Sequence, residues 1–181
     1  MKKNSCGVNV PDRPKRRGEW AEIRFLGRAA DLGLSVSKPY GDSDPYDFVV
    51  DSAGRLSRVQ VKATAFRDSR WRNGYTCPVT SPLGRPYSPE EVDFVAAYVI
   101  PEDVWYIIPV EEITTTTVSL DPRSRSNKYR RYREAWDLLL REPLSQSRRE
   151  RERRRALRIE ASAEEFPAAG AWPEGEEAVR S

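Results

Sequence analysis

Three side chains close together in the chain carry the types and spacing that chemistry needs. Asp47 stands at the head of the apolar run Tyr46-Asp47-Phe48-Val49-Val50, and Gln60 and Lys62 alternate with Val59 and Val61 in the next run. Ser52-Ala53-Gly54-Arg55 lies between the runs and has the composition of a turn. Residues two apart on a strand project to one face, so Gln60 and Lys62 point the same way. In a twisted hairpin Asp47 reaches the same place. A carboxylate, an amide oxygen and an ammonium together can hold a hard divalent cation and stabilise a phosphate. The chemistry this implies is metal-assisted cleavage of a phosphodiester. A lysine on a half-exposed strand is often only a guard against aggregation. The alternation argues otherwise here, because core-facing valines leave the polar pair a face of its own.

The composition excludes several alternatives. The 181 residues contain no histidine. That removes Ser-His-Asp and Cys-His catalysis and histidine-bound zinc. A metal in this chain must be held by oxygen, which favours Mg²⁺ or Mn²⁺. Cys6 and Cys77 form neither a ligand pair nor a disulfide framework, and no apolar run resembles a leader or a membrane span. A cytoplasmic location and no membrane partner are the expectations. The net charge is +3, and the basic residues cluster at 15–17, 67–72, 123–133 and 148–158. Trp71, Tyr75, Tyr129 and Tyr132 interleave with them, a pattern that fits a polyanion.

These residues need elements to place them. Residues 1–14 read as a disordered basic arm. A helix is expected over Gly18–Leu32, with Trp20, Ile23, Phe25, Leu26 and Ala30 as its apolar stripe and Gly33 at its end. Strands are expected at 34–37, 46–51, 56–66, 75–80, 93–100 and 104–109. Ser81–Glu91 reads as a proline-punctuated loop, and Val110–Ile113 as a turn or short helix. A second, amphipathic helix is expected over Tyr129–Arg141, carrying Tyr132, Ala135, Trp136 and Leu139. One domain therefore spans 15–142. Residues 143–181 form a charged tail, largely disordered, with a solvated helix over 147–160 and ion pairs one turn apart.

Arg17-Gly18-Glu19-Trp20-Ala21-Glu22, Lys38-Pro39-Tyr40-Gly41-Asp42, Tyr46-Asp47 and Arg58-Val59-Gln60-Val61-Lys62 together resemble the PD-(D/E)XK nuclease superfamily. So do Asp93-Phe94-Val95-Ala96-Ala97-Tyr98 and Trp105-Tyr106-Ile107-Ile108-Pro109. The resemblance covers about 17–140 and is strongest to the branch of group I introns and homing endonucleases. Holliday-junction resolvases are more distant. It implies an α/β fold of restriction-endonuclease-like type: a central mixed β-sheet flanked by helices. It also implies a Mg²⁺- or Mn²⁺-dependent DNA endonuclease. On that pattern Asp47 is the central metal ligand, with Gln60 where many members carry Glu or Asp. The Val61 carbonyl is a further ligand, and Lys62 polarises the phosphate or orients the water. Glu22 is the preferred helix-borne acid, and Glu19 shares its face loosely. Lys15, Arg16, Arg17, Lys38, Arg67, Arg70 and Arg72 are the expected DNA contacts. Two other readings stay open: a catalytically silent DNA-binding relative or mobile-element accessory protein, and a structure-selective junction nuclease. Cutting both strands with one site per chain is simplest for a symmetric homo-oligomer.

Overall fold

The computed structural model describes residues 11, 13–41, 43–65, 67 and 74–140. Contacts divide the chain into two units, Met1–Arg141 and Glu142–Ser181. The expectations for residues 1–10 and for the tail lie outside the described residues, as do those for Arg70 and Arg72.

The chain opens with helix α1 (Pro14–Asp31), which starts one turn earlier than the expected Gly18. Pro14 takes the first helical position, where its fixed φ is already helical and its missing N–H is not needed. At the other end Gly33 adopts φ 71° and donates to the Ala30 carbonyl, while Leu34 N–H reaches back to Ala29 O. That pair of bonds is the Schellman closure a glycine permits.

Strands β1 (Ser35–Ser37), β2 (Phe48–Ser52) and β3 (Arg55–Thr64) follow as an antiparallel set. β2 and β3 are joined by Ala53 and Gly54, both at positive φ, and Asp51 Oδ1 accepts the Gly54 N–H at 2.9 Å. This is the two-residue turn whose twist matches paired strands. β4 (Tyr75–Pro78) comes next in the chain. β5 (Phe94–Val99) lies parallel to β3, and β6 (Val104–Pro109) returns antiparallel to β5. The result is a mixed sheet in the order β1-β2-β3-β5-β6. β4 and β7 (Thr117–Leu120) form a separate two-stranded ribbon.

The described body is layered as helix, mixed sheet and ribbon. Phe48, Val50, Val59, Val61, Ala96 and Ile107 pack toward α1, while Val95, Ala97, Val99, Tyr106 and Ile108 pack toward Tyr75, Cys77, Val118 and Leu120 of the ribbon. β5 and β6 are buried on both faces, which is why they read as unbroken apolar runs.

Two expectations are corrected. Of the expected stripe Trp20, Ile23, Phe25, Leu26 and Ala30, Phe25 alone is fully buried; the buried face of α1 is Ala21, Phe25 and Ala29, and Ile23 is 66% exposed. Two alanines let the helix approach the sheet, and Phe25 fills the gap between them. Its ring stacks on Phe48 at 5.4 Å and meets Trp136 at 5.4 Å. The Tyr129–Arg141 helix is replaced by two 3₁₀ turns, Arg130–Tyr132 and Trp136–Leu138. Glu134 separates them at φ 52°. Its N–H donates to Trp105 O, and its carboxylate accepts from Trp105 N–H and Trp136 Nε1. Pinning to β6 thus overrides the helical pattern, although Tyr132, Ala135, Trp136 and Leu139 are buried as that pattern predicts.

Candidate active site

β2 begins at Phe48, so β3 loses its β2 neighbour beyond Val59 while it stays paired with β5; Asp47 N–H still donates to the Val59 carbonyl. Past that point the Asp47 side chain takes over from the backbone. Oδ2 accepts the Val61 N–H at 2.7 Å, satisfying a donor the departing strand would have left bare. The same oxygen accepts Gln60 Nε2 at 2.6 Å, and Gln60 Nε2 also donates to the Val61 carbonyl at 3.2 Å. A carboxylate oxygen and a backbone oxygen therefore converge on one polar hydrogen donor at the edge of the sheet.

Burial pushes the Asp47 carboxyl above its ordinary pKa, and the negative charge of Glu22 adds to that. The Val61 N–H, the Lys62 charge and the Gln60 amide pull the other way. Glu22 reaches this region from α1, where it is half-buried and accepts Lys38 Nζ at 2.7 Å. That bond, with the fields of Asp47 and Glu19, holds the Lys38 ammonium above its ordinary pKa.

Lys62 projects from β3 toward the ribbon side. Its Nζ lies 5.3 Å from the centre of the Tyr87 ring, and its charge is felt at Cys77. The buried Cys77 thiol is pushed up to about 12 by desolvation, so it supplies no nucleophile at neutral pH. Tyr87 is 5% exposed and belongs to the loop between β4 and β5. Arg58 and Asp93 fasten that loop's end. The Arg58 guanidinium reaches Asp93 Oδ1 at 3.0 Å and the Pro89 carbonyl at 2.7 Å, and it also donates to Glu90 O.

Asp47, Gln60, Val61 and Glu22 thus gather at one sheet edge, with Lys62 beside them on β3. Among the described residues no group of three or more His, Cys, Asp or Glu side chains could hold a metal. A cation at this edge would rest on the carboxylates of Asp47 and Glu22 and on the neutral oxygens of Val61 and Gln60. That donor set is all oxygen, as a hard cation prefers. The fit is supported by the convergence on Gln60 Nε2, which already fills the gap between Asp47 Oδ2 and Val61 O. A half-turn of the amide would present its oxygen instead.

The expected DNA contacts are dispersed. Lys15, Arg16 and Arg17 form the first turn of α1, where cations oppose the helix dipole. Lys38 is engaged with Glu22. Arg67 is drawn to Glu102 at 3.7 Å and over the Tyr75 ring. Sequence reasoning missed Tyr87, whose one signal is an aromatic residue bracketed by Pro86 and Pro89.

The model of the family described as PD-(D/E)XK endonuclease matches residues 13–139. The chain belongs to the PD-(D/E)XK endonuclease family. Among solved structures, the bacterial homing endonuclease I-Ssp6803I matches with a TM-score of 0.60 and 31% identity, over 70% of this chain and 92% of its own. Together these place the chain in the homing-endonuclease-like branch, with the restriction-endonuclease-like α/β fold. A search of curated proteins finds no match. Among the described residues no helix is long and apolar enough to cross a membrane.

Proposed function

We propose that this protein is a divalent-metal-dependent DNA endonuclease that hydrolyses phosphodiester bonds at the edge of β3. The observation that carries the reading is the convergence of Asp47 Oδ2 and the Val61 carbonyl on the Gln60 amide, beside Lys62 on the same strand. Mg²⁺ or Mn²⁺ bound there would lower the pKa of a coordinated water and polarise the phosphate. The remaining work falls to the chain. Asp47 is held by the Val61 N–H, so its ligating oxygen is already aimed. Lys62 brings an ammonium to the negative charge that grows on the phosphate, and the face of Tyr87 limits where that ammonium can go. The basic first turn of α1, one to two turns from Glu22, is suited to docking the DNA backbone. Its charge opposes the helix dipole and therefore costs the fold something, which supports a use beyond folding.

The test is incubation with supercoiled plasmid, with and without Mg²⁺. Wild type should nick or linearise the plasmid only when the metal is present. Lys62→Ala should lose about 10²–10³ in rate yet still bind metal, whereas Asp47→Asn should lose both cleavage and metal affinity. Full activity in both variants would place the chemistry elsewhere. Binding without cleavage by wild type would favour the catalytically silent relative, and preference for four-way junctions the junction nuclease.

A further inference from the structure

Glu22 and Lys38 occupy each other. The helix acid expected at the metal and the loop lysine expected at the DNA form a 2.7 Å ion pair. While that pair stands, Glu22 Oε2 is committed to an ammonium and Lys38 to a carboxylate. Lys38 follows β1 directly, and the loop it opens returns the chain to Asp47, so one loop is bounded by an ammonium and by the central carboxylate. Glu22, Asp47 and Glu19 all act on this ammonium, and its Nζ lies 5.8 Å from the centre of the Phe48 ring.

We infer that Lys38 is the internal counter-cation of the metal-free site, and that metal and DNA together displace it from Glu22 to a backbone phosphate. The inference rests on the proposed metal-dependent nuclease and adds a coupling to it. The physical reason is competition. A divalent cation on Glu22 competes with Lys38 for the same carboxylate, and two cations within a few ångströms repel. The site has little to outbid the lysine with, since Gln60 brings no charge and the proposed donor set holds two carboxylates, Asp47 and Glu22. Lys38 is free to leave. Its side chain is 57% exposed against 21% for Glu22, and it stands at the mouth of a loop rather than in the core. A phosphate that accepts Lys38 uncovers Glu22, so DNA should raise metal affinity. By linkage, metal must raise DNA affinity by the same factor. Cleavage then waits until both are present.

The test is calorimetry with Mn²⁺ on the whole chain in the absence of DNA. Lys38→Met should bind Mn²⁺ about tenfold more tightly than wild type, and Lys38→Arg should bind like wild type. In a Glu22→Gln background the Lys38→Met gain should shrink severalfold, because the residue then has no carboxylate to release. A gain of equal size in that background would mean that Lys38 acts only through its general field, and the inference fails. An unchanged affinity in Lys38→Met also overturns it. Asp47→Asn separates the two levels. If Asp47→Asn loses Mn²⁺ while Lys38→Met matches wild type, the metal site stands and the coupling falls. If Asp47→Asn binds as wild type does, the metal site falls with it. A second measurement uses plasmid DNA in a Lys62→Ala background. Ca²⁺ should tighten DNA binding and steepen its log–log salt slope by about 0.9, the value for one phosphate, when Lys38 is present but not when it is Met. Equal steepening in both proteins would refute the transfer to phosphate.

Discussion

Gln60 is the residue on which the character of the site turns. Its Nε2 stands between Asp47 Oδ2 and the Val61 carbonyl, so the metal-free edge is held together by hydrogen bonds rather than by repelling oxygens. A glutamate in its place would set a second charge beside a carboxylate whose pKa burial already raises. Gln60→Glu should therefore tighten Mn²⁺ and Mg²⁺ binding and destabilise the metal-free protein, a pairing visible as a lower melting temperature that metal restores. Calorimetry with no change in metal affinity would mean that position 60 does not touch the cation. Asp47, Gln60 and Lys62 were legible in the sequence because a hairpin brings them together and strand alternation sorts their faces. The Lys38–Glu22 pair and the Tyr87 ring were not. Each depends on how separate elements pack, and no local spacing records that.

At the scale of elements, the loop before β5 is fastened to β3 by Arg58 and Asp93, and that loop carries the ring facing Lys62. Burial alone would raise the Asp93 carboxyl; the hydrogen bonds from Arg58 outweigh it and hold the group below its ordinary pKa. A lowered folded-state pKa stabilises the protein fully above the unfolded value of about 3.9 and loses that contribution as pH falls through the folded value. Asp93→Ala should thus cost about 1 kcal/mol at neutral pH, the modest value of a pair partly open to solvent, and less in acid, measured by denaturant melts at both. Equal losses at both pH values would mean that the ion pair is not what holds the loop. The hairpin and β5–β6 were readable from alternation and from unbroken apolar runs. The register of α1 was not, because Ile23 and Leu26 outweigh Ala21 and Ala29 on any hydrophobicity scale, yet only alanines allow the close approach. β7 went unread although Val118 and Leu120 alternate with Thr117 and Ser119. Its polar face disguised it as part of a threonine-rich loop.

For the whole molecule, the family match ends at residue 139, while the Arg-rich run of 148–158 lies beyond it. If that run serves DNA and not the core, deleting 145–181 should leave the melting temperature nearly unchanged. It should also weaken DNA binding and flatten the salt slope by about 0.9 for each phosphate that the shortened chain no longer reaches. A truncated chain with unchanged affinity and slope would assign the run to solvated ion pairs within itself. The same comparison tests the arrangement of chains. A symmetric pair would sediment as a dimer with or without the tail if the 15–142 body forms the interface.

The Val61 amide has a use of its own. Its hydrogen points at the Asp47 oxygen from 2.7 Å between heavy atoms, a charge-assisted bond in the interior of β3. In a nuclear magnetic resonance spectrum such a proton should lie downfield of ordinary amides. A ligand drawing on the same oxygen changes the electron density the proton sees. That single resonance makes the protein its own indicator: it registers occupancy of the carboxylate without a dye, a label or a cut strand.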